Sequence, residues 1–247
     1  MSFLRSLARS VLPKSVALAL RKEYQIRMSL RGRTDEQREF ALMHRLIKPG
    51  DTVWDIGANS GSFTVEMCKI TGSAGRVYAF EPIPHNFDIL KAVIAKGRLN
   101  NSFPMQVALG DRNGPVAFTM PAAPGFGAYF LARTAGSGDV ASLTVEMTTA
   151  DCVLASGIAH APGFIKCDVE GTAGAVISGA VELIRQHHPI WLVECWYEQE
   201  IQLMRSLGYD IFDPSLNPVT GLMPQERNYV FIPKLASKMI ADGLVLE

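Results

Sequence analysis

Asp55-Ile56-Gly57-Ala58-Asn59-Ser60-Gly61-Ser62-Phe63 decides how this chain is read. An apolar run, Thr52-Val53-Trp54, leads into it, and a helical pattern from Val65 to Ile70 follows. The order is strand, tight glycine turn, helix start. Downstream a second apolar run, Val77-Tyr78-Ala79-Phe80, ends in Glu81. A glycine loop between strand and helix, with a carboxylate at the end of the next strand, is how a doubly wound sheet holds a nucleoside cofactor. Gly57 and Gly61 lack a Cβ, so the backbone there can take positive φ and approach a ligand closely.

The loop reads G-x-x-x-G rather than the G-x-G-x-x-G that brings a pyrophosphate to a helix N-terminus. Asp55 would set a negative charge against such a pyrophosphate. A carboxylate there suits the sulfonium and ammonium of S-adenosylmethionine, and Glu81 can accept from both ribose hydroxyls. Ala108 and Leu109, at the end of a third apolar run, can hold an adenine edge with their backbone, and Asn59 can bond the cofactor carboxylate or brace the turn. The expected cofactor-binding set is therefore Asp55, Gly57, Ala58, Asn59, Gly61, Glu81, Ala108 and Leu109.

Several motifs in order resemble the FkbM-type methyltransferases. They are Asp55-x-Gly57-Ala58-Asn59-x-Gly61-x-Phe63, Ala79-Phe80-Glu81-Pro82-x-Pro84-x-Asn86-Phe87, and Phe164-Ile165-Lys166-Cys167-Asp168-Val169-Glu170-Gly171 with Gly179-Ala180. Pro189-Ile190-x-x-Val193-Glu194, Leu207-Gly208-Tyr209 and Asn228-Tyr229-Val230-Phe231 follow. The resemblance covers roughly residues 45 to 233. It implies a class I S-adenosylmethionine-dependent fold and transfer of a methyl group, usually to a hydroxyl oxygen. The chain departs from the family at one position: many members read Asp-x-Glu-Gly-x-Glu, and here Ala173 stands in the last acidic place.

Composition bounds the rest. Forty-eight per cent hydrophobic residues suit a globular core, and the formal net charge is zero. Residues 1–50 hold 11 Lys/Arg against 4 Asp/Glu, and the remainder 13 against 20. The basic charge belongs to an N-terminal arm (residues 1–48), and the α/β domain (49–247) is acidic, which argues against a nucleic-acid substrate. The arm has apolar residues at helical spacing (Phe3, Leu4, Leu7, Val11, Leu12) before Pro13, compatible with packing on the domain or a partner subunit, contact with an anionic membrane, or targeting. Thr34 with Gln37 suggests a capping box for a second helix over 34–48. Four cysteines without C-x-x-C spacing argue against a zinc site and fit a cytoplasmic location, with or without membrane association. No run reaches the roughly 18–20 apolar residues of a membrane span.

Strand and helix patterns alternate. Strands are expected at 53–55, 77–80, 105–108, 164–167, 190–194, 209–212 and 229–232, with helices over 62–70, 86–96, 174–186 and 198–206. The fold class is α/β: a class I methyltransferase-like, doubly wound, mostly parallel seven-stranded sheet with an N-terminal helical arm. Residues 112–150, rich in Pro and Gly, form a β-rich insertion after the third strand, with strand-like pieces at 116–120 and 141–147. Its Phe126, Tyr129 and Phe130 could line an acceptor pocket or pack the hairpin.

Asp168 and Glu170 are the catalytic candidates. At a strand end either could take the proton of an attacking hydroxyl, hold a divalent metal that acidifies it, or cap the helix that follows; no metal is assigned. Lys166 beside them could neutralise the pair, and Glu194 could reach a substrate. The expected activity is O-methylation of a hydroxyl on a sugar, glycolipid or natural product. The alternatives are a nicotinamide-dependent oxidoreductase and a catalytically silent cofactor-binding module. A small hydroxyl acceptor is the expected partner, and the arm is compatible with a homo-oligomer.

Overall fold

The computed structural model describes residues 14–32, 36–121 and 140–241. The apolar residues at 3–12, the Thr34 cap, and Phe126, Tyr129 and Phe130 lie outside them. Helices α1 (Lys14–Arg31) and α2 (Gln37–Leu46) lead into the glycine-loop unit β1 (Thr52–Ile56), α3 (Ser62–Thr71), β2 (Arg76–Phe80), α4 (Pro84–Gly97) and β3 (Ser102–Met105). Then come β4 (Ala108–Leu109), β5 (Gly114–Pro121), β6 (Val140–Thr148) and α5 (Ala150–Ala155). The chain returns through β7 (Phe164–Cys167), α6 (Ala173–Ser178), α7 (Val181–His187), β8 (Ile190–Glu194), α8 (Glu198–Ser206), β9 (Tyr209–Phe212), β10 (Asn228–Pro233) and α9 (Lys234–Ala241).

The main sheet has seven strands in the order β3-β2-β1-β7-β8-β10-β9. β10 runs antiparallel to both its neighbours, and the other pairs are parallel. The chain winds outward from β1 to β3, then restarts on the other side of β1 at β7. The switch point therefore lies between β1 and β7, where α/β sheets place their ligands.

Strand alternation sorts the core into two layers. Trp54, Ile56, Tyr78, Phe80, Ile165, Cys167, Trp191 and Val193 face one side and pack with Val176, Ile177, Leu183, Ile201 and Met204. Val53, Val77, Phe164 and Leu192 face the other, with Phe40, Leu42, Met43 and Ile47 from the N-terminal segment. Ile26 of α1 packs with Val65, Ile89 and Val93 of α3 and α4. Helix α2 thus shares the core of the sheet, and α1 packs on the helices that cover it.

Three expected boundaries change. The third strand is 102–105 rather than 105–108, because the Glu81 N–H still donates to the Met105 carbonyl, but the next N–H facing β3, that of Ile83, donates to the Glu81 carboxylate instead. Ala108 and Leu109 join a second, three-stranded sheet, β4-β6-β5, whose long hairpin pairs Gly114–Pro121 with Val140–Thr148. The helix expected over 174–186 is two helices. Gly179 interrupts it by packing against the Gly110 carbonyl, and the Asp151 carboxylate caps the second helix by accepting from the Glu182 and Leu183 N–H groups at 3.1 and 2.8 Å. That cap comes from a distant element, so no local pattern announces it. The short helix α5 and the C-terminal α9 are additions to the expected elements.

The Gly179 contact is testable. A Cβ there would lie 1.9 Å from the Gly110 carbonyl oxygen, whereas one at Gly163 would meet nothing within 4 Å. Gly179→Ala is expected to lower the free energy of unfolding in urea by about 1–3 kcal/mol, the usual cost of overpacking, with Gly163→Ala close to wild type. Equal stabilities for the two variants would contradict the close approach.

Candidate active site

The cleft at the switch point has a volume of about 620 Å³. Its floor is the glycine loop after β1, where Gly57, Asn59 and Gly61 take left-handed φ values of 78°, 51° and 87°. The space a Cβ would occupy is filled by protein. At Gly57 it would meet the Asp168 carbonyl oxygen at 2.0 Å, and at Gly61 a Leu90 methyl at 2.7 Å. The glycines therefore let the loop close onto β7 and α4, and that closure lays its backbone along the cleft.

Glu81 ends β2 and is buried. Its carboxylate accepts from the Asn59 N–H at 2.8 Å, the Ile83 N–H at 2.9 Å and the Asn86 side-chain amide at 3.4 Å. Glu81 thereby pins the glycine loop to the second strand while lining the cleft. Burial pushes its carboxyl up to about 7, against those hydrogen bonds.

Asp55 is placed differently from its neighbours. It is fully buried and absent from the cleft lining, because alternation along β1 turns it toward α3. There the Thr64 hydroxyl donates to it at 2.6 Å, and the Lys166 ammonium stands 3.8 Å from its other oxygen. Asp55 and Lys166 are register partners on adjacent parallel strands. Lys166 also donates to Asp168 at 3.2 Å and lies over the Phe63 ring, 4.4 Å from its centroid. Burial alone would lower the Lys166 ammonium, but Asp168 and Asp55 overcome it and hold the group above the usual lysine value.

Across the cleft, Asp168, Glu170 and Glu194 each place a carboxylate oxygen within 4.8 Å of the other two. Asp168 and Glu170 follow β7, and Glu194 ends β8. Glu194 accepts from the Trp196 indole N–H at 3.0 Å. Burial, then the Asp168 charge, pushes it up to about 7, and the same two causes raise Glu170. Such a cluster can accept a proton or hold a divalent cation. Ala173 is fully buried in the core and does not line the cleft.

Ala108 and Leu109 line the remaining wall with Val116, Phe118 and Met147 of the hairpin, so the insertion contributes surface to the site. Glu36 lines the opposite side and bonds the Ser62 hydroxyl at the start of α3. An adjoining pocket of about 120 Å³ continues past Lys166, lined by Glu36, Glu39, Glu194 and Asn228 among others. Sequence reasoning passed over Glu36 and Glu39; both come from the N-terminal segment, with no motif around them. Asn86 was read only as part of a motif, and its bond to Glu81 is a product of the fold. The arrangement fits a nucleoside cofactor: a closed glycine loop, and beside it a buried carboxylate that already accepts hydrogen bonds.

Comparison with known proteins agrees with this geometry. A family model described as "Methyltransferase FkbM domain" matches residues 55–211. The chain is 28% identical over 152 residues to the hexuronic acid methyltransferase AglP of Haloferax volcanii, covering 61% of this chain and 58% of that protein. A shorter stretch of 68 residues is 40% identical to the probable cobalt-precorrin-6B C(15)-methyltransferase of Saccharolobus solfataricus, covering 27% of this chain and 34% of that protein. Among solved structures, the chain superposes on the methyltransferase FkbM from Methylobacillus flagellatus with a TM-score of 0.50 at 17% identity, covering 73% of this chain and 43% of that one, a likeness of fold. The chain spans less than two thirds of the length of each of these relatives.

Glu81 yields a pH prediction. Its folded pKa is raised, so its contribution to stability is fully present below about 4.5 and is lost as pH rises through about 7. A ligand whose hydroxyls donate to the ionised form reverses that loss. Affinity for S-adenosylhomocysteine, followed by calorimetry, should therefore strengthen as pH rises through about 7 and then level off. In Glu81→Gln the affinity should be weak and indifferent to pH. A flat profile in the wild type would remove Glu81 from the binding site.

Proposed function

Because the chain belongs to the FkbM methyltransferase family, we propose that it transfers a methyl group from S-adenosyl-L-methionine to a hydroxyl oxygen on a neutral sugar, glycolipid or natural product. The carrying observation is that one cleft joins the glycine loop and Glu81 to the Asp168, Glu170 and Glu194 carboxylates. When bound, the cofactor supplies an electrophilic methyl carbon on a sulfonium. The protein's part is to align the acceptor oxygen with it and to take the proton that the oxygen loses.

In this reading the backbone of Gly57, Ala58 and Asn59 cradles the amino-acid end of the cofactor, and Gly61, outside the cleft lining, supplies the left-handed turn into α3. Glu81 takes the ribose hydroxyls, and Ala108 and Leu109 hold the adenine edge. Asp55 positions the loop from beneath, through Thr64 and Lys166. Asp168 and Glu194 share the proton-accepting role. Lys166 pairs with Asp168, and burial, then the Asp168 charge, raises Glu194 toward the pH at which a base is most useful. With an acceptor hydroxyl aligned on the bound cofactor, Asp168 and Glu194 would receive the proton that the hydroxyl loses. Glu170, raised but half-buried, orients the acceptor at the rim.

The name of AglP supports a sugar as acceptor class. The charge of the pocket past Lys166 argues for a neutral one: Glu36, Glu39, Asp168 and Glu194 stand there against Lys166. A uronic acid would bring its own carboxylate to that wall, and like charges at close range are unfavourable. A nicotinamide reaction lacks its G-x-G-x-x-G loop and gains no support from the relatives. Glu194 brings a third carboxylate to the cleft from another strand, which supports an active site despite Ala173.

The turnover number should rise with pH through about 7, as Glu194 loses its proton, and then level off. Glu194→Gln should lower it by about 10²–10⁴-fold and abolish that limb, while S-adenosylhomocysteine affinity and its own pH dependence persist. In an acceptor panel, neutral glycosides should be methylated ahead of the matching uronic acids. Undiminished turnover in Glu194→Gln would transfer the base role elsewhere, and preference for a uronic acid would overturn the neutral-acceptor reading.

A further inference from the structure

Helix α1 has two apolar faces where a surface helix ordinarily has one. Ile26 is buried against α3 and α4. Val16, Leu20 and Tyr24, spaced by four residues, form a second stripe along the helix, exposed by 42%, 57% and 58%. Across the described residues seven large hydrophobic side chains are exposed, and three of them stand in this stripe. Arg27 and Arg31 continue the same face toward the helix end, and both are exposed.

Charge distinguishes this stripe from an ordinary exposed patch. Residues 14–31 contain five Lys/Arg and a single acid, Glu23. Glu23 is already engaged, by Arg27 at 2.8 Å and by Lys96 of α4 at 2.5 Å. Burial and then Arg21 and Lys22 lower His85 at the start of α4, so the positive field reaches across the helix pair. The helix is also tied to the cofactor loop: the Ser29 hydroxyl donates to the Ser60 hydroxyl at 3.0 Å. Tyr24 stands five residues before Ser29, roughly 7–8 Å along the axis.

We propose that α1 docks the protein on an anionic lipid surface, with Val16, Leu20 and Tyr24 entering the interface and the surrounding Lys and Arg side chains meeting lipid phosphates. An apolar stripe within a basic surround is the composition such a surface binds, through buried apolar area and charge attraction together. A second copy of the chain is the weaker occupant, because pairing two such helices would bring two positive fields together. A nucleic acid would use the cations and leave the aliphatic stripe in water. Docking itself does not depend on the methyl-transfer reading. Its consequence, that the cofactor cleft stands beside a membrane where a lipid-linked hydroxyl could be presented, does rest on it.

The test is flotation of the full chain with vesicles of phosphatidylcholine, with and without phosphatidylglycerol. Binding should appear with phosphatidylglycerol, weaken as salt is raised, and fall by about ten- to a hundredfold in the Leu20→Ser, Tyr24→Ser double variant. Both side chains are exposed, so the variant's thermal midpoint and its S-adenosylhomocysteine affinity should match wild type. Loss of cofactor binding in the wild type would strike the methyltransferase reading and leave docking standing. Docking is overturned by equal binding to the two vesicle types, by wild-type binding in the double variant, or by a dimer in light scattering that the double variant dissociates.

Discussion

The buried ammonium of Lys166 is the constraint around which the site is organised. It sits mid-sheet between Asp55 on β1 and Asp168 at the end of β7, over the Phe63 ring. An unpaired charge at that depth would cost roughly 3–5 kcal/mol. The two carboxylates and the aromatic face offset that cost only if β1, β7 and the start of α3 keep their positions. Those are the elements that carry the glycine loop and the acidic cluster. The same ion pairs thus hold the glycine loop and the acidic cluster in one geometry.

Around that centre each carboxylate has a different environment, and the environment sets its role. Asp55 is turned inward by strand alternation and serves the scaffold. Glu81 reaches the cleft but is anchored by two backbone N–H groups and Asn86, so its orientation is set before any ligand arrives. Asp168 is half-exposed and stabilised by Lys166. Glu194, next to Asp168 and held by the Trp196 indole, carries the raised pKa of a group pressed by burial and a like charge. These four acids are therefore not interchangeable, and replacing one tests one function.

The N-terminal segment is joined to this centre. Phe40, Leu42 and Met43 share the core with Val53 and Phe164, Glu36 bonds Ser62 at the head of α3, and Ser29 meets Ser60 in the glycine loop. Helix α1 also packs on α3 and α4 through Ile26. This makes the basic helix part of the site's surroundings rather than an appendage.

Much was legible in the chain itself. The order of strands, the glycine loop, Glu81 and the Asp168–Gly171 segment could be read because they depend on local periodicity and on residue types with narrow conformational uses. The helix over 198–206 and the strands at 164–167, 190–194 and 209–212 keep their expected bounds for the same reason. The fold decided what depends on distant partners. The Ile83 N–H bond to Glu81 and the hairpin moved Ala108 and Leu109 to another sheet, and Asp151 with the Gly110 carbonyl split a helix at Gly179. Alternation beneath α3 took Asp55 out of the cleft, pairing of β7 with β8 brought Glu194 to Asp168, and packing of the N-terminal segment brought Glu36 to Ser62. Sequence by itself determined which chemistry the strand ends could offer, because type and spacing are local. Tertiary structure alone decided which carboxylate faces the cleft and which lies beneath it, because burial and charge pairing are set by residues far apart in the chain.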